Sequence, residues 1–144
     1  MKFEEINLNE VFTTDVYEVT KEDIYEFCSE FDPQYMHIDE EKAKESIFGG
    51  IITSGLHTLS ITWKLWVAMN LMGDDAIGGV GINNVKFLAP VYPGDQLFVR
   101  ANTIEKKEHP KKQDRGYFTV QLKTFNQKEE LVLTTEVIGL IKRI

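Results

Sequence analysis

The sequence predicts an α+β domain in which an antiparallel sheet wraps one long helix, and three observations carry that prediction. Leu56–Met72 is apolar at eleven of seventeen positions, with Lys64 as its only formal charge. After Gly73 the hydrophobic period switches from helical to two across four runs separated by short connections. The chain has 144 residues, about one ordinary domain, and is 42% apolar, enough to build a core. An apolar helix must be covered, and here only the sheet is large enough to do it.

Val11–Thr20 is rich in β-branched residues and suits an early strand or extended arm. Thr20 stands three residues before Asp23 and opens KEDIYEFCSEF as an N-cap, so a short helix follows and stops before Pro33. Residues 31–39 then read as a proline-containing loop. Asp39 caps a second short helix, EEKAKES, which Phe48-Gly49-Gly50 breaks. Thr53 and Ser54 cap the long helix and Gly73 ends it. Its apolar side chains fall on every face, the mark of a buried helix. Polar residues from Thr58 to Asn70 interrupt a stretch already short for a membrane span. Strands are expected at Ile77–Leu88, Gln96–Lys106, Gly116–Asn126 and Leu131–Ile141, with antiparallel pairing. A sheet around one central helix is the hot-dog arrangement. No repeat or linker divides residues 1–144, so a single domain is expected.

Composition narrows the function. The net charge is −7, and the first fifty residues hold 14 acids against 4 bases, which argues against nucleic-acid binding. The one basic cluster, Lys106, Lys107, Lys111, Lys112 and Arg115, is diluted by Glu105, Glu108 and Asp114 and reads as a solvated turn, with a small anionic ligand left open. Cys28 is the only cysteine, so no intrachain disulfide forms and a reducing cytoplasm is the expected location. The opening MKFEEINLNE lacks the basic start and apolar run of a signal peptide. Three scattered histidines give no metal site, and neither a G-x-S-x-G elbow nor a P-loop occurs. No cofactor or membrane partner is expected.

The segment Phe31-Asp32-Pro33-Gln34-Tyr35-Met36-His37-Ile38-Asp39 places a carboxylate and an imidazole five residues apart. Turned toward one point, they could share a water and exchange protons with it. The spacing equally allows Asp32 to cap a turn and His37 to be a satisfied core histidine.

This segment resembles the MaoC-like dehydratases and (R)-specific enoyl-CoA hydratases, whose motif reads roughly G-D-x-N-P-x-H-x-D-x-x-x-A. Asp32, His37, Asp39 and Ala43 keep that register, while Phe31, Gln34 and Tyr35 replace glycine, asparagine and proline. Ile47–Gly55 is similar to the family's F-G-G-x-I-A-H-G, and Val85–Val91 followed by Pro93-Gly94-Asp95 is similar to its sheet entrance and P-G-D turn. The resemblance implies that Asp32 and His37 activate a water for addition across the double bond of a 2-enoyl thioester. It implies that the backbone N–H of Gly55 meets the enolate oxygen, a role suited to a helix N-terminus. Gly50, Ser54 and His57 are expected to contact the substrate, an acyl thioester that coenzyme A would carry, although a histidine in the place of His57 is more often packed and hydrogen-bonded locally. Trp63 and Trp66 either shape an acyl tunnel or simply fill the core. The basic turn would attract the nucleotide end of the thioester, and an exposed sheet edge implies a homodimer or higher homo-oligomer. Two other readings stay open. One is a hot-dog thioesterase, disfavoured because Leu56–Met72 holds no Asp or Glu. The other is a non-catalytic acyl-thioester-binding subunit.

Overall fold

The computed structural model describes all 144 residues. Two short strands come first, β1 (Val11–Thr13) and β2 (Tyr17–Glu18). The expected arm is therefore split at Thr14, whose hydroxyl takes the N–H of Val99 while its own N–H goes to the Val99 carbonyl. Helix α1 (Lys21–Phe31) begins where Thr20 accepts the N–H of Asp23, as the capping pattern requires. Residues 35–38 depart from the expected loop: Tyr35–Ile38 is a single helical turn, α2. Pro33, two residues before it, pre-sets the chain, and the Gln34 carbonyl receives the N–H of His37. Helix α3 (Glu40–Lys44) follows, capped by the Asp39 side chain on the N–H of Lys42.

The central helix α4 (Gly55–Ala68) starts at Ser54 and ends sooner than expected. Asn70, at φ 52°, takes the left-handed position that closes it, and Gly73 instead opens a short 3-10 turn. Four long strands complete the chain: β3 (Ala76–Phe87), β4 (Gln96–Glu108), β5 (Arg115–Phe125) and β6 (Leu131–Lys142). All pairs are antiparallel in the order β1-β4-β5-β6-β3, with β2 also on β4, giving six strands. Alternate residues of β4, β5 and β6, such as Val99, Val120 and Val137, turn inward to Ile61 and Leu65 of α4. Thr62 links helix to sheet through a 2.6 Å hydroxyl contact with Thr124.

The helix is not buried all round. Leu56, Trp63 and Val67 are 50%, 42% and 53% exposed, one stripe at spacings of seven and four. Edge strand β3 has no buried residue and exposes Ile77, Val80, Ile82 and Phe87 beside that stripe. The apolar pattern on every face thus belongs to a helix with only one face covered by its own sheet. No helix is long and apolar enough to cross a membrane.

Candidate active site

Residues 51–54 cross between α2 and the chain leading out of β3. The N–H of Ile52 goes to the Met36 carbonyl, and that of Thr53 to the Val91 carbonyl. This threading brings His37 to Ile52, and Asp32, at the end of α1, to Ser54.

His37 is buried, and its Nδ1 lies 2.7 Å from the Ile52 carbonyl. A carbonyl only accepts, so Nδ1 carries a proton, and when the ring is neutral Nε2 presents a lone pair. That lone pair sits 3.4 Å from Asp32 Oδ2. Asp32 is held on both oxygens: Ser54 Oγ donates to Oδ2 at 2.6 Å and Gln34 Nε2 to Oδ1 at 2.7 Å. The Ser54 hydroxyl is the chief cause that keeps the Asp32 carboxyl below its ordinary value, aided by Gln34 and His37 against partial burial. Carboxylate and imidazole therefore offer two acceptors, close together, to the two protons of one water.

Ser54 also settles the first turn of α4. Its hydroxyl accepts the N–H of Leu56, and its carbonyl accepts those of His57 and Thr58. Leu56 and His57 thus have their N–H groups satisfied at this helix start, while the N–H of Gly55 takes no partner within the chain. A cavity of about 320 Å³ opens there, lined by His37, Thr53, Gly55, Thr58, Phe87 and Val132 among others. A Cβ at Gly55 would stand 2.7 Å from the Phe87 ring, so a larger residue there would force that ring to move.

Of the residues singled out from sequence, Asp32, His37, Ser54 and Gly55 come together. His57 turns away: its ring stacks on Phe27 at 4.7 Å, its Nδ1 contacts Thr53 Oγ1 at 2.6 Å, and burial pushes its pKa down. Gly50 is half-buried with nothing near its Cα face and does not line the cavity. The basic turn tips the β4–β5 hairpin, at the end of the sheet where Ala76 pairs with Ile141, whereas the site lies where Phe87 pairs with Leu133. Measured along β6, eight strand steps from Leu133 to Ile141 separate them, roughly 26 Å, so the basic turn does not adjoin the site within one chain. Thr58 and Phe87 also line the cavity, though neither is singled out as a site residue from the sequence. Thr58 follows Ser54 at helical spacing, but Phe87 arrives by long-range packing alone.

A six-stranded antiparallel sheet around one helix, with its polar site at that helix's free N–H, defines a hot-dog domain. The chain belongs to the MaoC like domain family, whose pattern matches residues 5–124. It is 48% identical to the uncharacterized protein YdeM of Bacillus subtilis (strain 168), over 99% of this chain and 100% of that one. A MaoC-like dehydratase structure from Rhodospirillum rubrum superposes with a TM-score of 0.92 at 32% identity, covering 100% of this chain and 98% of that one. The (R)-hydratase PhaJ1 of Pseudomonas aeruginosa shares the fold, with a TM-score of 0.76 at 20% identity, over 99% and 86% of the two chains. The family is one of hydro-lyases.

Proposed function

We propose that the protein is a hydratase or dehydratase that adds water reversibly across the double bond of a 2-enoyl thioester, carried by coenzyme A. The observation behind this reading is the fixed tautomer of His37 beside Asp32. Two acceptors 3.4 Å apart take the two protons of one water and leave its oxygen lone pair facing the cavity. As that oxygen bonds C3, one water proton passes through the pair to C2, and the other stays on the new 3-hydroxyl. Charge that develops on the thioester oxygen meets the free N–H of Gly55 at the positive end of α4. Incubation with crotonyl-CoA tests this. Enoyl absorbance should fall with no free thiol released. Thiol release would mean hydrolysis, and no change would mean binding without turnover.

The same reading includes a homodimer. The apolar stripe of α4 and the open edge of β3 adjoin, and both are uncovered in the single chain. Two β3 strands paired antiparallel about a two-fold would close both edges. They would also bring the basic hairpin tip of one copy to the sheet end where the other copy's site opens. Sedimentation at micromolar concentration should give twice the monomer mass, and a stable monomer would overturn the dimer.

A further inference from the structure

We propose that Ser54 is a positioning residue whose single hydroxyl ties the Asp32 carboxylate to the first turn of α4, so that one side chain sets both the base and the oxyanion donor. The inference rests on the reading above that Asp32 acts on water and that Gly55 meets the enolate oxygen. It concerns a residue that the motif resemblance would have placed against substrate.

Both the hydroxyl and the carbonyl of Ser54 are committed. The residue is 1% exposed, so no solvent competes for it. A hydroxyl has one proton, and a carboxylate only accepts, so Oγ spends its proton on Asp32 Oδ2 at 2.6 Å. A lone pair of the same oxygen takes the Leu56 N–H at 3.2 Å, and the carbonyl takes those of His57 and Thr58. The consequence is geometric. Asp32 stands at the end of α1 and Gly55 at the start of α4, on segments joined by no other polar side-chain contact of Asp32. Without the Ser54 bridge, the carboxylate is anchored only through Gln34, two residues along its own segment and exposed, and the base is free to rotate away from the helix. Oδ2, the oxygen that Ser54 holds, is also the one that faces His37 Nε2. The bridge thus selects which carboxylate oxygen meets the water.

The groups facing Asp32 are few. His37 approaches from α2, and Cys28 from α1, its thiol pushed up by burial and so kept neutral. Neither replaces a lost hydroxyl donor, so removing Ser54 lets the Asp32 carboxyl rise toward the ordinary aspartate range.

The test follows the Asp32 side-chain carboxyl by carbon NMR through an acid titration, in the wild type and in Ser54→Gly and Ser54→Ala. Glycine is nearly as good an N-cap as serine while alanine is a poor one, so the pair separates helix capping from the bridge. The expected result is an Asp32 midpoint that rises equally in both variants. Hydration of crotonyl-CoA should show kcat reduced by about tenfold, KM little changed, and the acid limb of the rate profile moved up. An unchanged midpoint in both variants, or a loss confined to Ser54→Ala and to melting temperature, overturns the proposal and leaves Ser54 as a cap. A shifted midpoint in a protein whose wild type hydrates nothing supports the bridge and sinks the reaction.

Discussion

The two ends of α4 are built differently although one helix of about 20 Å joins them. At its N-terminal end polar contacts set the geometry: Ser54 satisfies three N–H groups, Asp32 is held by two donors and His37 by the Ile52 carbonyl, and the Gly55 N–H is left over. At its C-terminal end, a cavity of about 170 Å³ is lined largely by apolar surface, with Trp63, Trp66, Val67, Gly79 and Gly139 among its walls. That end is closed by the chain terminus, whose Met1 amine binds the Leu71 carbonyl and Asp75. The contrast separates fixed direction from bulk. Hydrogen bonds set atoms to tenths of an ångström, whereas an apolar wall fixes only volume. Chemistry belongs to the first end and stability to the second.

The largest effect that separates them lies at the N-terminal end. Asp32→Asn should lower hydration by about 10²- to 10⁴-fold, and His37→Ala similarly. If both act on one water, the double variant should be scarcely slower than either single one. The stability cost of Asp32→Asn should be about 1 kcal/mol, because Asn still accepts from one of the two donors. That cost has a sign in pH. The carboxyl is depressed in the fold, so its contribution is full above the ordinary aspartate value and is lost as pH falls through the lower folded value. Normal turnover in Asp32→Asn would remove chemistry from this end.

Trp66→Ala probes the other end. The side chain is 8% exposed, and its loss enlarges a cavity that already exists, so about 3–5 kcal/mol of stability should go. Turnover of crotonyl-CoA well below the lowered melting temperature should hold within about threefold, since no polar contact of the site passes through Trp66. Loss of rate equal to that of Asp32→Asn would show that the two ends act as one unit.

Much of this contrast is legible in the sequence, for different reasons at each element. The caps at Thr20, Asp39 and Ser54 are local, set by a side chain and an N–H two or three residues away, and local signals survive in sequence. Strands β4, β5 and β6 follow from period-two burial, and all four long strands differ from expectation only by a residue or two at their ends. The turn at 35–38 is hidden because four residues carry too little periodicity to register. Asp32 and His37 are adjacent enough to be seen as a pair, but the Ser54 bridge spans 22 residues and needs the fold. His57 illustrates the opposite error: next to the site in sequence, it is carried by the helical turn to Phe27 on α1. The uncovered face of α4 reads as buried because apolar composition reports that a surface is hidden and not what hides it.

The smallest effect should come from Glu4, which ties the chain's first residues to the end of β6. Glu4 accepts the N–H of Ile144 at 2.9 Å and Arg143 Nε at 2.9 Å, fastening the first residues to the last. The Ile144 N–H, followed by Arg143, brings its carboxyl down from 4.5 to about 2. A group depressed in the fold stabilises fully above its unfolded value and loses that contribution as pH falls through its folded value. The clasp should therefore be intact above about pH 4.5 and open toward pH 2. Glu4→Gln should melt slightly below the wild type at neutral pH, with the gap shrinking to nothing between those limits. High salt should narrow the gap further, because the pair is exposed. Hydration at neutral pH should be unchanged by the substitution. A Glu4→Gln protein with altered kcat would mean that the far end of the sheet reaches the site, and the division between the two ends of α4 would then fail.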